Sequence, residues 1–509
     1  MPTTVRTAAT IGIDAYPVHV EVDTDRQLPS FTVVGLPDSA VRESKERVMA
    51  AVRNAGFNWP RRRVTVNLAP AAVRKAGSAF DLAIAVGVLA ASGQIRGERL
   101  ADFVLLGELS LSGSVRPLRG LLPIAVSLRD QGDYGMIVPR DNAREAALAD
   151  GPVVYGIATL SEAVELVEGG VRIPPHTVDP AALLAAEAGG GLDFAEVCGQ
   201  EFAKRALEVA AAGGHNILLV GPPGSGKTML AQGMPSILPD MSLEEALATT
   251  KIHSVAGSLP ASAGLVSTRP FRAPHHTISA AGLVGGGPFP RPGEVSLAHH
   301  GVLFLDELPE FKTHVIEALR QPLEANSVTI ARAQRTLSFP ARFMLIAAMN
   351  PCPCGNLTDP RQACICSPQA VHRYRSRVSG PLLDRIDIHV QVPGATYAEL
   401  SDRASTTSST DVRARVNRCR LRQLQRFGDA AETFCNAHMD ARHIHRHCLL
   451  RDAAATILEA AMDKLALSGR AMHRILKVAR TIADLGGSDA IEATHVSEAV
   501  QYRSLERAL

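Results

Sequence analysis

Gly221-Pro222-Pro223-Gly224-Ser225-Gly226-Lys227-Thr228 follows the apolar run Asn216-Ile217-Leu218-Leu219-Val220 and precedes a helical pattern from Met229 to Met234. Strand, glycine-rich loop and helix in this order make a P-loop, in which backbone N–H groups and the positive end of the helix converge on a phosphate. Gly221 to Thr228, with Met229, are therefore the expected cradle for a nucleotide such as ATP. Lys227 is expected to bridge its β- and γ-phosphates, and Thr228 to ligate Mg²⁺. A glycine-rich turn without a ligand is the bland alternative, and the flanking strand and helix weigh against it.

A site that hydrolyses a nucleotide also needs acids at the end of a neighbouring strand. Gly301-Val302-Leu303-Phe304-Leu305-Asp306-Glu307 supplies them about eighty residues later. Asp306 is suited to hold Mg²⁺ through water, and Glu307 to polarise the attacking water. Leu345-Ile346-Ala347-Ala348-Met349-Asn350 is a further apolar strand, ending in a polar amide.

Around this centre the chain is 509 residues long, with 46% hydrophobic, 4% aromatic and 20% charged residues. That is a globular composition with room for two to four domains. The 53 basic and 51 acidic residues leave a formal net charge of +2, which excludes a histone-like binder and a long acidic tail. Any contact with nucleic acid must therefore be local. Of the 53 basic residues 8 are lysines, leaving 45 arginines, so each lysine invites the question why the arginine fork would not serve there. The longest apolar stretch, Leu82 to Ala91, is far short of the ~18 to 20 residues that span a bilayer. The N-terminus lacks a charged region followed by an apolar one. The expectation is a cytoplasmic protein without a membrane partner.

Residues 1–175 alternate short β-rich runs with helical patterns, which argues for one α/β domain with a mixed sheet. The Pro-, Ala- and Gly-rich residues 176–191 read as a linker. A second α/β block follows over 192–395, and after the stretch Ser405-Thr406-Thr407-Ser408-Ser409-Thr410 the remainder of 396–509 is helical in pattern. Eight cysteines make no disulfide framework. Cys352-x-Cys354, nine intervening residues and Cys364-x-Cys366 nevertheless form a symmetric set on one Pro/Gly loop. Four soft ligands suit tetrahedral Zn²⁺; reduced structural thiols and redox or Fe–S chemistry are the alternatives. Cys198, Cys419, Cys435 and Cys448 show no partner spacing, and His438, His443, His445 and His447 read as a polar helix face.

Three stretches carry a more specific signal: Phe271-Arg272-Ala273-Pro274-His275-His276-Thr277, Pro292-Gly293-Glu294-Val295-Ser296-Leu297-Ala298 and Asn350-Pro351-Cys352-Pro353-Cys354-Gly355. With them, residues 192–509 resemble AAA+ ATPases of the magnesium-chelatase type, and the whole chain resembles the bacterial YifB/ComM family. The resemblance implies an AAA+ α/β core over 192–395 with a helical C-terminal lid over 396–509. It casts Asn350 as the sensor that orients the lytic water. Arg385, in Leu382-Leu383-Asp384-Arg385-Ile386-Asp387, becomes an arginine finger acting in trans on a neighbour's γ-phosphate. Arg470, in Ser468-Gly469-Arg470-Ala471, becomes a second sensor reaching the nucleotide from the helical domain, with Arg474 as its rival one turn later. A surface or ion-paired role stays open for these arginines. A finger in trans implies a homo-oligomeric ring, by resemblance a hexamer.

The same resemblance makes Ser279 to Pro288, glycine-rich and too flexible for a core, an insert facing a central pore. It makes Val328 to Phe339 a hairpin whose Arg332 and Arg335 face threaded DNA, or else pair with acids between subunits. A second basic stretch, Arg413, Arg415, Arg418, Arg420, Arg422 and Arg426, scatters around its helix and reads as a solvated or packing surface rather than a DNA site. Residues 1–175 resemble the second domain of ribosomal protein S5 and the Lon protease domain. Ala79 stands where Lon has its nucleophilic serine, Ser78 lies one place early, and no lysine lies near Leu121-Leu122, so a Ser–Lys peptidase dyad is not expected. Lys75 is left as a loop charge. The function implied is a Mg²⁺-dependent ring ATPase that moves on DNA and migrates branches of joint molecules. The alternative is a chelatase-like or chaperone-like ATPase that remodels a partner protein.

Overall fold

Val5, Val18, Val20, Val22, Val64, Val66 and Leu68 are fully buried and alternate with more exposed neighbours along the strands Thr3–Ile11, Asp14–Asp25 and Arg63–Ala69. Period-two burial of β-branched residues is what puts one face of a strand on a core. In the computed structural model these strands are the middle of a seven-stranded mixed sheet. It continues on one side with Ser30–Val34 and on the other with Phe103–Leu105, Gly135–Pro139 and Val153–Ile157. The structure describes all residues but 1, 72–74, 76, 130, 133, 171–172, 187–190, 260–263, 288–289, 333–334, 360, 395–406, 429–432, 466 and 504–509. The helix Asp81–Ala91 is apolar on every side, and Leu82 to Leu89 are wholly buried in this core. No helix among the described residues is long and apolar enough to cross a membrane.

The chain divides into two compact units, Met1–Ala186 with Leu243–Val266, and Glu187–Ser242 with Ser267–Leu509. The P-loop block is thus interrupted by a segment that belongs to the first unit. Its helix Leu243–Ala256 is anchored there by Ser254, whose hydroxyl donates to the buried Glu145 carboxylate. Glu145 also accepts the N–H of Leu122 at 3.0 Å and the Asn142 amide at 3.0 Å.

In the second unit Ile217–Val220, Met344–Met349, Val302–Leu305 and Ile388–Gln391 are short parallel strands, buried but for Gln391. With Phe271–Arg272 at the edge they form a five-stranded sheet. In chain order the strands lie 2-3-4-1-5, so the first strand sits between the fourth and fifth, where an open parallel sheet offers its ligand crevice. The C-terminal helices, among them Ser409–Phe427, Asp452–Leu465, Gly469–Leu485 and Ala493–Gln501, pack into the same core.

The second basic stretch works as packing. Arg415 pairs with Glu208 and Arg413 with Asp240, Arg420 donates to the carbonyls of Ala211 and Ala212, and Arg426 joins Arg480 and Asn436 on Asp484. Asp484 is fully buried, and Arg480 nearly so. Removing one member of such a group strands the others as uncompensated charge, at a cost of about 3–5 kcal/mol. Asp484→Ala is therefore expected to lower the stability of the second unit by about that amount. Urea unfolding followed by circular dichroism measures it, and an unchanged midpoint contradicts it.

The glycine-rich insert departs from expectation. Leu283, in the helix Ala280–Val284, is fully buried beside Val295 and Leu308. Gly285 and Gly293 stand so close that a Cβ on Gly293 would lie 2.3 Å from the Gly285 nitrogen. These glycines permit a close backbone crossing at the edge of a core; they do not mark a loose segment.

Candidate nucleotide site

Parallel register brings the functional strand ends together. Val220 lies beside Met349 and Leu305 beside Ala347, so the P-loop, Asp306-Glu307 and Asn350 all leave the carboxyl edge of one sheet. Lys227 opens the helix Lys227–Gln232, and its Nζ donates to the carbonyls of Gly221 and Pro222, each at 2.8 Å, and to Asn350 Oδ1 at 3.2 Å. Burial lowers its pKa, and the nearby Asp306 and Glu307 offset this only in part. The Thr228 hydroxyl donates to Asp306 Oδ2 at 2.7 Å, and Asp306 Oδ1 accepts the Glu307 N–H at 2.9 Å. Asp306 is thereby oriented toward the residue expected to share Mg²⁺ with it. Glu307 adopts left-handed backbone geometry, φ 52°, and its carboxylate is exposed.

His276 was not expected at this centre. Its ring lies tilted against that of His275 with centroids 4.1 Å apart, meets Phe311 edge-on, and places Nδ1 3.7 Å from Glu307 Oε2. Arg272, four residues earlier, grips Glu294 through two bonds of 2.6 and 2.9 Å, which ties two of the three distinctive stretches together. A paired histidine after Arg-Ala-Pro carries no general signal for such a role. The placement sets the His276 ring beside the Glu307 carboxylate, where it is expected to help position that group. His276→Ala is expected to lower kcat for hydrolysis on the order of 10-fold with KM little changed. Steady-state kinetics test this, and an unaltered kcat contradicts it.

Arg385 lies elsewhere. It precedes Ile388–Gln391, and its carbonyl accepts the side-chain amide of Asn216, the residue before Ile217, so it sits at the amino edge of the sheet. The guanidinium is mostly buried and bonds Glu324 and the Pro381 carbonyl. Arg470, exposed at the start of the helix Gly469–Leu485, lines one cavity of about 370 Å³ with Arg385, Glu324, His438, Arg474 and Lys477. No P-loop residue lines it. Arg474 is held by the buried Asp387, which also faces His215 Nδ1 at 3.2 Å. Burial would raise the Asp387 carboxyl, but Arg474 and His215 outweigh it and hold it well below the usual range. Arg470 has no carboxylate partner among the described residues.

The family described as "Magnesium chelatase, subunit ChlI" matches residues 193–400, "Subunit ChlI of Mg-chelatase" matches 20–142, and "Magnesium chelatase, subunit ChlI C-terminal" matches 406–503. Competence protein ComM of Haemophilus influenzae is 44% identical over 505 residues, 98% of this chain and 97% of that one. The chain belongs to the YifB/ComM family. An uncharacterised YifB of Escherichia coli is 41% identical over 507 residues, 99% of this chain and 97% of its own. The 38 kDa subunit of magnesium chelatase from Rhodobacter capsulatus is 25% identical over 176 residues, 31% of this chain and 50% of that subunit. The family makes the protein an AAA+-type ATPase, with ATP and Mg²⁺ as its implied cofactors.

In this YifB/ComM-family chain the four cysteines also converge. Their Sγ atoms all lie within 4.8 Å of one another, a group that could hold a metal ion. Backbone N–H groups of Asn356 and Ile365 pull the Cys354 thiol down to about 6, whereas burial pushes Cys352 up to about 12. The hairpin is present as Ser327–Arg332 paired antiparallel with Arg335–Pro340, Arg332 opposite Arg335; those two side chains lie outside the described residues. Lys75 is a correction: it is fully buried, with Nζ donating to the Pro70 carbonyl, and is not a loop charge. Ser78 donates its hydroxyl to Glu108.

Proposed function

We propose that the protein is a Mg²⁺-dependent AAA+ motor that assembles as a ring, by resemblance a hexamer, and acts on DNA. The observation that carries the ring is the separation of Arg385 from the P-loop by the length of the sheet. A four-residue strand rises about 13 Å, too far for Arg385 to reach the γ-phosphate held by its own Lys227. A neighbour's nucleotide is the partner that suits it, and Arg470 in the same cavity would reach the same phosphates. Thr228 and Asp306 would hold Mg²⁺, Lys227 the β- and γ-phosphates, Glu307 the lytic water, and Asn350 its orientation. Residues 1–175 are read as an S5-domain-2/Lon-like domain.

The DNA reading rests on the hairpin that carries Arg332 and Arg335 and on likeness to a competence protein; branch migration of joint molecules is the activity the family resemblance implies. The test is ATPase rate and DNA binding with forked and four-way DNA at several salt concentrations. Stimulation is expected, with binding that weakens as salt rises and a shallower salt dependence for the double variant Arg332→Ala/Arg335→Ala. DNA that neither binds nor stimulates overturns it in favour of a motor that remodels a partner protein.

A further inference from the structure

We infer that Cys352, Cys354, Cys364 and Cys366 bind one Zn²⁺ tetrahedrally, and that this ion clamps the loop carrying Asn350 against the back of the P-loop. Cys352 to Cys354, Cys352 to Cys364 and Cys354 to Cys364 are 3.4, 3.7 and 3.6 Å apart. Zn–S bonds of ~2.3 Å at tetrahedral angles place sulfurs ~3.8 Å apart, close to this spacing. A disulfide needs ~2.05 Å, and all four cysteines are free thiols. A cluster of several irons would hold its cysteines farther apart. Backbone N–H groups also point at the sulfurs, those of Asn356 and Ile365 at Cys354 and those of Leu357 and Gly355 at Cys352. Such N–H···S contacts hold the sulfurs in place, as the outer-shell partners of a metal site do.

Apolar packing cannot supply what the metal would. Ile365 is 88% exposed and Leu357 42%, so the loop turns its two large apolar side chains toward water. A loop with no core of its own is the case in which metal binding supplies the ordering free energy.

The loop abuts the nucleotide site at two points. A Cβ on Gly355, φ 84°, would lie 2.4 Å from Pro223 Cδ, so the Cys354-Gly355 turn is flush with the P-loop. Asn350, two residues before Cys352, reaches Lys227, and Arg375 donates to the intervening Pro351 carbonyl at 3.1 Å. The ion would thus fix Asn350 and the outer side of the P-loop together.

The metal assignment stands independently of the proposed function, while the clamp rests on the nucleotide-site reading. The test uses full-length protein purified without chelators. Elemental analysis should find about one Zn²⁺ per chain, and Co²⁺ exchanged into the site should give thiolate charge-transfer bands and intense tetrahedral d–d bands. Cys364→Ser should lose most of the zinc. If that variant does not fold, chelation and re-metallation of the wild type, followed by the Co²⁺ spectrum, give the same answer. Wild type that is metal-free and takes up no Co²⁺ overturns the site. For the clamp, removing zinc should weaken a fluorescent ATP analogue or slow hydrolysis on the order of 10-fold, reversibly, with circular dichroism unchanged. Gly355→Ala should keep zinc yet show the same defect. Zinc removal that leaves both nucleotide affinity and hydrolysis unchanged overturns the clamp; wild type that binds no nucleotide at all speaks against the nucleotide-site reading and leaves the zinc measurement standing.

Discussion

Lys227→Ala is expected to reduce ATP hydrolysis by at least ~10²–10³-fold, the loss typical of removing one preorganised donor from a developing anion. The ammonium sits among the carbonyls of Gly221 and Pro222, the Ser225 hydroxyl and the Asn350 amide oxygen, acceptors it can trade for phosphate oxygens. Burial has already lowered its pKa, and a polyphosphate supplies the counter-charge that reverses that effect. Lys227→Arg should fail nearly as badly. In a chain with 45 arginines a lysine is required here because a compact ammonium fits between the loop carbonyls and a planar fork does not. ATPase rates and isothermal titration of nucleotide measure both variants. Wild-type turnover by Lys227→Ala would show that the loop is not the phosphate site.

Residues at strand ends were legible in the sequence because an apolar run followed by a polar group is a local pattern. Asp306 and Asn350 announce themselves this way, Lys227 and Thr228 through the glycine loop that follows Val220, and parallel register then brings all four together with no further instruction. Features set by tertiary neighbours were not legible. Leu243–Val266 belongs to the other unit, where Ser254 meets Glu145, more than a hundred residues away in sequence. Burial of Lys75 depends on the Pro70 carbonyl and on a core that no local window encodes. The glycines near residue 285 read as flexibility, whereas a backbone crossing at van der Waals limits is what selects them. The approach of His276 to Glu307 was not legible because the two are thirty-one residues apart, a spacing that has no periodic meaning. What separates Arg470 from Arg474 is likewise tertiary: Asp387 holds Arg474, whereas Arg470 has no carboxylate partner among the described residues.

Arg385→Ala is expected to cut hydrolysis by ~10³–10⁵-fold, the effect of losing an arginine finger, while leaving nucleotide binding to the isolated chain unchanged. Glu324, 62% exposed, relaxes into water when the guanidinium is removed, but the mostly buried Arg385 also holds the Pro381 carbonyl, so stability should fall by about 1–3 kcal/mol, a loss that leaves the chain folded. Loss of activity without loss of fold would therefore report on chemistry. The decisive experiment mixes Arg385→Ala with Lys227→Ala, each inactive alone. An Arg385→Ala subunit has an intact P-loop, and a Lys227→Ala neighbour still presents an intact finger, so mixed assemblies should regain hydrolysis that neither pure population has. A purely structural Arg385 predicts no recovery on mixing. An Arg385 acting on its own subunit's nucleotide predicts none either, since no subunit in the mixture holds both groups. Recovery requires the finger and the P-loop to belong to different chains, the arrangement that the proposal draws from their placement at opposite edges of one sheet.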